Sequence, residues 1–331
     1  MRNLITDVPG VRVGHAGDAR LGSGVTVVLF DEPAVASFDL RGGGPGTRET
    51  ALLDPAKTVS GVDAIALSGG SAFGLDAASG AQAWLREQGR GFAVRSARVP
   101  IVPGAILFDL LNGGDKNWGR YPPYRDFGYA ATAAAAGEFA LGSVGAGLGA
   151  TTANLKGGIG SASAEIDNIT IGALAAVNAA GSAVVGGGPC FWAAPFEQSG
   201  EFGACGMPEQ IDAKMLEPRT KGTPQTSTTL VVVATNAALT KAEANRIAVM
   251  AQTGVARAIY PVHTPLDGDV LFAASTGRKP LADPVITLTR LGTVAANVTA
   301  RAIARAIYEA RALPFPAALP SWHDKFGGGK S

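Results

Sequence analysis

The sequence predicts an α/β protein, and both its composition and its apolar pattern indicate this class. Of 331 residues, 47% are hydrophobic and only 17% are charged, which suits a large buried core and is unlike a disordered chain. Short apolar runs with strand character alternate with longer segments whose apolar residues recur at helical spacing. The 45 glycines are clustered rather than periodic, which indicates tight turns and close packing. We expect one domain spanning residues 1–331.

Strands and two helices are predicted in the part of the chain before residue 186. Turn residues separate the apolar runs, and two segments carry apolar residues three or four positions apart. The predicted strands cover 11–15, 24–30, 34–40, 62–67, 99–107, 163–171 and 173–185, and the predicted helices cover 72–89 and 127–139. This mixture of elements is the main support for the α/β prediction.

The pattern changes abruptly at two places after residue 188. Residues 189–227 mix Gly, Pro, Ser, Thr and charged residues without a sustained period, as expected of a long functional or disordered loop. Thr228 then begins the strongest buried-strand pattern of the chain, over 228–235. Thr240 and Glu243 have the spacing of a capping box that opens a helix. The remaining predicted elements are that helix over 240–259, a strand over 270–275, a helix over 291–311 and an extended tail after Pro314.

Five residues suit acyl-transfer chemistry, although each has a simpler explanation when it is taken alone. Thr228 follows an irregular loop, but Thr is also a favoured strand residue. Asp267 and Asp269 can face the same side of a strand edge, but Asp-Gly is an ordinary turn signal. Lys156 lies among glycines, where it is either solvated or partly buried with a lowered pKa. Asn178 interrupts an apolar run, where it either bonds a local turn or donates to an oxyanion.

A serine hydrolase is an alternative prediction. Ser71 follows the predicted strand 62–67 on a strand-to-helix turn, as the serine of a nucleophile elbow does, although Phe73 replaces the second glycine of that motif. His263 could serve Ser71 as a general base. His15 and His323 lie near the ends of the chain and are expected to be structural or solvated.

Several other classes of protein do not fit the sequence. Lys plus Arg number 28 against 27 Asp plus Glu, so neither a nucleic acid nor an acidic membrane surface is an expected partner. The first residues lack the apolar run of a signal peptide, and no segment has the pattern of a membrane-spanning helix. The spacing of His and Cys indicates no zinc site, and residues 266–269 lack the further ligands of a calcium loop. We expect a cytoplasmic protein with no metal and no organic cofactor.

A set of ordered motifs resembles one known family. The motifs are DVPGVRVGH from Asp7, RGGGPGTRE from Arg41, LSGGSAFGL from Leu67, PGAILFD from Pro103, STTL from Ser227 and HTPLDGD from His263. Over nearly the whole chain they resemble the family of L-aminopeptidase/D-esterases, β-peptidyl aminopeptidases and nylon-oligomer hydrolases. The resemblance implies a hydrolase acting on short peptides, amino-acid amides or esters, or ω-amino-acid oligomers.

The resemblance also implies an architecture and a maturation step. The implied fold is a four-layer αββα sandwich similar to that of the acetyltransferase of arginine biosynthesis. The implied precursor cuts itself between Ser227 and Thr228 into an α chain of residues 1–227 and a β chain of residues 228–331. The processed αβ units are then expected to form a homo-oligomer, commonly a tetramer.

The same resemblance assigns catalytic roles to residues of this sequence. Thr228 becomes the N-terminal nucleophile, and its new α-amine acts as the base. Asp267 and Asp269 are its supporting carboxylates. Lys156 corresponds to the family's active-site lysine, and Asn178 corresponds to the asparagine on the side of the site where the oxyanion forms.

Three positions depart from the family pattern. Phe108 stands where several members have Tyr, and Leu107 stands where β-aminopeptidases have a Glu that holds the substrate's amine. Both are expected in the substrate pocket. Ser227 replaces the Asn or Gly expected before the scissile bond. These departures keep two further alternatives open: a relative that binds small molecules without maturing, and an acyltransferase on the same fold.

Overall fold

The computed structural model describes residues 1–221, 227–316 and 318–327, and its central feature is a continuous mixed sheet. In this described part the strands are β1 (Val11–Asp18), β2 (Ser23–Leu40), β3 (Thr47–Arg48), β4 (Val62–Ser68), β5 (Phe92–Val94), β6 (Ala97–Val99), β7 (Gly104–Ile106), β8 (Gly158–Ile166), β9 (Ile169–Asn178), β10 (Thr228–Ala237) and β11 (Val270–Lys279). The α-helices are α1 (Ala77–Glu87), α2 (Tyr124–Ala133), α3 (Lys241–Ala258), α4 (Pro284–Tyr308) and α5 (Trp322–Phe326). The main sheet has the order β3-β7-β4-β2-β11-β10-β9-β8, with β1 also paired to β2, while β5 and β6 form a separate hairpin.

Strand β2 is long enough to join the two halves of this sheet. Its residues 25–29 pair with β1 and β4, whereas residues 35–40 pair with β11. The register against β4 shifts between Leu29 and Ala34, where the strand is irregular. The sequence predicted two strands here because a turn-like Asp-Glu-Pro separates the apolar runs, but the structure has a single strand.

Alternate side chains of the strands pack into three separate hydrophobic cores, and the arrangement of these cores defines four layers. In β10, Val231 packs under helices α3 and α4, while Val232 faces a central core. In β4, Ile65 faces the same central core, and Ala66 packs under helices α1 and α2. Two sheet halves therefore enclose the central core, and a helical layer covers the outer face of each.

Two predicted strand regions differ from the structure for identifiable reasons. The strand predicted over 99–107 is divided into β6 and β7, because Pro100 and Pro103 lack the N–H groups that a continuous ladder needs. The boundary predicted at residue 172 lies instead at Asp167 and Asn168, which link β8 to β9 with positive φ angles. Asp and Asn tolerate this conformation better than most residues, so the turn forms there.

The elements around the proposed nucleophile agree closely with the prediction. Strand β10 begins at Thr228, and the Thr240 side chain accepts a hydrogen bond from the Glu243 N–H at the start of α3. The loop predicted over 189–227 contains a short 3₁₀ turn at Ala194–Phe196, and its residues 222–226 lie outside the described residues. Among the described helices, none is long and apolar enough to cross a membrane.

Candidate active site

Three neighbouring strands bring the predicted nucleophile, the asparagine and the two aspartates to one end of the sheet. Thr228, the first residue of β10, is paired with Asn178, the last residue of β9. Ser227 forms a parallel bridge with Asp267, three residues before β11 begins. Thr228 is only 3% exposed and Asn178 is completely buried. The sequence places these residues far apart, and strand pairing alone assembles them.

The Ser227–Thr228 peptide is held between its own hydroxyl and a backbone donor. Thr228 Oγ1 donates to the Ser227 carbonyl oxygen at 2.5 Å, and the Gly268 N–H donates to the same oxygen at 2.7 Å. On the other side, the Ser227 N–H donates to the Leu266 carbonyl at 2.9 Å. A nucleophilic hydroxyl and a donor suited to an oxyanion thus meet at one carbonyl group.

Glycine is required at position 268 by the space beside the nucleophile. A Cβ added there would lie 2.8 Å from Thr228 Oγ1 and 2.8 Å from the Gly44 carbonyl oxygen. Both separations are shorter than carbon–oxygen van der Waals contact allows. The Asp-Gly-Asp motif therefore contributes its glycine as well as its carboxylates.

Asp267 is buried, and its carboxylate is occupied by neighbouring donors. One oxygen accepts from the Ala180 N–H at 3.0 Å, and the other accepts from the N–H and hydroxyl of Thr264 at 2.9 and 2.7 Å. Within the described residues no hydrogen bond joins this carboxylate to Thr228. Asp267 therefore holds the turn that carries Gly268 and places a negative charge beside the scissile bond.

Asp269 is similarly fixed, on the other side of Gly268. Its Oδ1 accepts from the Thr229 N–H at 2.7 Å, and its Oδ2 contacts His263 Nδ1 at 2.8 Å. Burial raises the pKa of Asp269, an effect that the His263 hydrogen bond opposes and the nearby Asp267 charge reinforces. Like Asp267, it has no hydrogen bond to the Thr228 hydroxyl in the described part of the chain.

Asn178 links the sheet to the loops that surround the nucleophile. Its Nδ2 donates to the Phe108 carbonyl at 2.9 Å. Its Oδ1 accepts from the Thr151 N–H and from Lys221 Nζ, both at 3.0 Å. These contacts orient the amide group, which carries a second N–H beyond the one given to Phe108.

Lys156 is almost completely buried and donates to three backbone oxygens. Its Nζ lies 2.9 Å from the Gly147 oxygen, 2.8 Å from that of Ala150 and 2.6 Å from that of Gly157. Burial lowers the pKa of Lys156 to about 7, against the opposing charge of Asp109. Three donated hydrogen bonds use all three N–H groups of the ammonium form, so these acceptors favour the charged lysine while burial opposes it.

A cavity of about 350 Å³ lies beside this cluster. Phe108, Asp109, Lys156 and Lys221 are among the residues that line it. Leu107, in contrast, is fully buried in the central core between the sheet halves. Of the two residues expected in the substrate pocket, Phe108 lines this cavity, whereas the side chain of Leu107 lies in the core.

The serine-hydrolase alternative lacks the required contact. Ser71 has a φ of 52° at the turn after β4, and its N–H donates to the Leu107 carbonyl. His263 uses Nδ1 for Asp269, and in the described residues no hydrogen bond connects it to Ser71. The described residues also contain no group of three His, Cys, Asp or Glu side chains able to hold a metal ion.

Sequence reasoning missed three residues of this cluster. Gly268 supplies the backbone donor, Lys221 bonds Asn178 from the loop that precedes β10, and Asp109 is a buried carboxylate in the cavity wall. Asp109 accepts from the Ser23 hydroxyl and from a backbone N–H, and burial raises its pKa. Asp109 ends the PGAILFD motif, and its place in that motif could have indicated that it belongs to the site. No local pattern distinguished Lys221 from other loop lysines.

Comparison with known sequences supports the resemblance. Residues 3–317 match peptidase family S58. An uncharacterised aminopeptidase of Mycobacterium tuberculosis is 45% identical over 348 aligned residues, covering 98% of both chains. A 6-aminohexanoate-oligomer endohydrolase of a Kocuria species is 28% identical over 308 aligned residues, covering 89% of this chain and 80% of that protein.

Solved structures share the fold. A β-aminopeptidase of a Burkholderia species matches with a TM-score of 0.70 at 22% identity, covering 98% of this chain and 91% of that chain. An L-aminopeptidase D-Ala-esterase/amidase from Ochrobactrum anthropi, described as a variant of the Ntn hydrolase fold, matches with a TM-score of 0.71 at 20% identity, covering 98% and 94%. The chain is therefore a hydrolase and a member of peptidase family S58.

Proposed function

We propose that this chain is a self-processing amide hydrolase whose nucleophile is Thr228, freed as an N-terminus when the Ser227–Thr228 bond breaks. One observation carries the proposal: the Thr228 hydroxyl and the Gly268 N–H both bond the Ser227 carbonyl oxygen, at 2.5 and 2.7 Å. An attacking group and an oxyanion donor at one carbonyl are the two requirements for acyl transfer.

Self-cleavage begins as an acyl shift within this peptide. Thr228 Oγ1 forms a bond to the Ser227 carbonyl carbon, and the negative oxygen that develops remains bonded to the Gly268 N–H. The carbon–nitrogen bond then breaks, and the hydroxyl proton passes to the departing Thr228 nitrogen. Water hydrolyses the resulting ester, which leaves a carboxylate on Ser227 and a free hydroxyl and amine on Thr228.

Turnover reuses the same groups on an external amide. The new α-amine has an ordinary pKa of about 7.7–8.0, so it can take the hydroxyl proton near neutral pH. Thr228 Oγ1 forms an ester with the substrate acyl group, the substrate amine leaves with the proton, and water hydrolyses the ester. Asn178 lies across the strand pair and is proposed to donate its second N–H to the oxyanion. Lys156, Asp267 and Asp269 set the charge around the amine.

The substrate class follows from the relatives and from the cavity. The relatives include an uncharacterised aminopeptidase and a 6-aminohexanoate-oligomer endohydrolase. We propose short peptides, amino-acid amides or ω-amino-acid oligomers as substrates, and an oligomer of processed αβ units, a tetramer by the resemblance, as the working form.

Denaturing gel electrophoresis tests the proposal. Wild type is expected as two bands and Thr228→Ala as one. Thr229→Val is the matched control, because the neighbouring hydroxyl is buried without a hydrogen-bond partner in the described structure. That variant is expected to cut normally. A single full-length band for active wild-type protein would overturn the proposal.

A further inference from the structure

The cavity beside the proposed active-site cluster is lined in part by an alkylammonium group of the chain itself. Lys221 lines the cavity, and its Nζ donates to the backbone oxygen of Asn178 at 3.1 Å and to the side-chain Oδ1 at 3.0 Å. Asn178 is the direct strand partner of Thr228. A primary ammonium on a four-carbon chain is therefore bound next to the reacting residue.

We propose that Lys221 is an internal ligand of this cavity, occupying in the uncut chain the place that the substrate's primary ammonium takes in the mature enzyme. The inference rests on the proposed function and deepens it by naming how the uncut chain regulates the same site: its own lysine fills the ammonium-binding part of the cavity until cleavage.

The surroundings of Lys221 offer oxygen acceptors and carboxylate charge to a cation, although burial disfavours the charged form. Its two acceptors are a backbone carbonyl and an amide oxygen of Asn178. The buried carboxylates of Asp267 and Asp109 act on its pKa from nearby, opposing the lowering to about 7 that burial causes. With its carboxylates and oxygen acceptors, this part of the cavity binds an ammonium of any source by the same chemistry.

Cleavage supplies a reason for Lys221 to leave. Lys221 stands six residues before Ser227, in the segment whose end becomes free when the bond breaks. The cut also creates an ammonium on Thr228, directly across the strand pair from Asn178. The charge of Lys221 already lowers the pKa of the neighbouring Lys156, so two positive charges are disfavoured in this region. A new positive charge in a poorly solvated site weakens the binding of the existing one.

Binding to uncut protein tests occupancy separately from catalysis. In the Thr228→Ala background, Lys221→Ala is expected to bind 6-aminohexanamide at least about tenfold more tightly. The reason is that a site occupied by Lys221 in most molecules binds an added ligand with an apparent affinity reduced in proportion to the fraction of unoccupied sites. Lys214→Ala, which changes an exposed lysine of the same segment, is the matched control and is expected to change nothing. Hexanamide, which lacks the ammonium, is expected to bind weakly throughout. Equal 6-aminohexanamide affinity in all three proteins, or equal binding of hexanamide, overturns the inference.

Lysine labelling tests the same inference without removing Lys221. Brief acetylation followed by mass spectrometry is expected to leave Lys221 protected relative to Lys214 in uncut Thr228→Ala, and to modify both in mature wild type. Equal protection of Lys221 in the two forms refutes its departure. A wild type that never cuts contradicts the proposed function instead, while the binding comparison in uncut protein still decides whether Lys221 occupies the site.

Discussion

Replacing Gly268 by Ala is expected to slow self-cleavage strongly while leaving the fold intact. The added methyl carbon would lie 2.8 Å from both Thr228 Oγ1 and the Gly44 carbonyl oxygen, so at least one of them must move by several tenths of an ångström. The backbone at Gly268 does not have a positive φ, so the change is steric and adds no conformational strain. The perturbation is therefore confined to the hydroxyl and to the turn that carries the N–H donor.

The magnitude follows from what that turn supplies. The Gly268 N–H is bonded to the Ser227 oxygen at 2.7 Å, and loss of one such donor costs about 3–4 kcal/mol, or 10²–10³ in rate. Crowding in a packed site destabilises a protein by about 1–3 kcal/mol. We therefore expect cleavage to be slowed about 100-fold or more, with a modest loss of unfolding free energy.

A time course of precursor and product bands after synthesis measures this rate. Gly44→Ala is the matched control, since a Cβ at Gly44 meets only the Asp267 and Pro265 oxygens, both at 3.9 Å, on the same turn. That variant is expected to cut at the wild-type rate. Wild-type cleavage by a folded Gly268→Ala protein would refute the assignment of this N–H as the oxyanion donor.

Three further predictions concern other residues. Ser71→Ala is expected to keep both cleavage and amide hydrolysis, measured by gel and by amine release, and loss of hydrolysis in a folded variant would favour the serine-hydrolase alternative. Burial lowers the pKa of Lys156 to about 7. Between pH 7 and the pKa of Lys in the unfolded chain, the unfolded state therefore binds more protons than the folded state, and the free energy of unfolding rises with pH. Urea titrations of uncut protein are expected to show a smaller rise for Lys156→Met, and parallel pH profiles would contradict the lowered pKa. Glu201→Gln is expected to destabilise the protein by about 3–5 kcal/mol, because it leaves the buried Arg301 and neighbouring Arg305 without their carboxylate. Burial alone raises the pKa of Glu201, but its hydrogen bonds lower the pKa overall. The stabilisation by Glu201 is therefore present above the pKa of Glu in the unfolded chain and is lost as the pH falls through the folded pKa. Urea midpoints measured against pH check this prediction, and an unchanged midpoint in Glu201→Gln contradicts it.

Local patterns were sufficient for the strand that begins at Thr228 and for the helix capped by Thr240. Both depend on hydrophobic periodicity and on side chain to backbone contacts within a few residues, which a sequence displays directly. The position of Leu107 could not be read in this way. Strand β7, which precedes Leu107, has only three residues and follows two prolines, so its alternating pattern is too short to show which side chains are buried. The family correspondence therefore placed Leu107 in the pocket, whereas the structure places its side chain in the core.

Contacts between distant loops account for the rest of what the sequence did not reveal. Lys221 belongs to the site only because it reaches Asn178, 43 residues away in the chain. Gly268 has the composition of an ordinary turn, and its role depends on the Ser227 carbonyl lying opposite its N–H. In both cases the informative quantity is a distance created by the tertiary fold, which neither residue type nor spacing encodes.

The contacts of the two aspartates assign them an electrostatic role. In the uncut chain Asp267 and Asp269 accept hydrogen bonds from backbone N–H groups, and neither bonds the nucleophile in the described structure. Burial raises the pKa of Asp269, and the Asp267 charge reinforces this, so the pair carries an electrostatic penalty that the His263 contact only partly offsets. The Ser227–Thr228 cut would place an ammonium beside this turn, since the Thr229 N–H already bonds Asp269. We therefore propose that the two carboxylates favour the product of cleavage over the precursor, through fixed charge and without having to move.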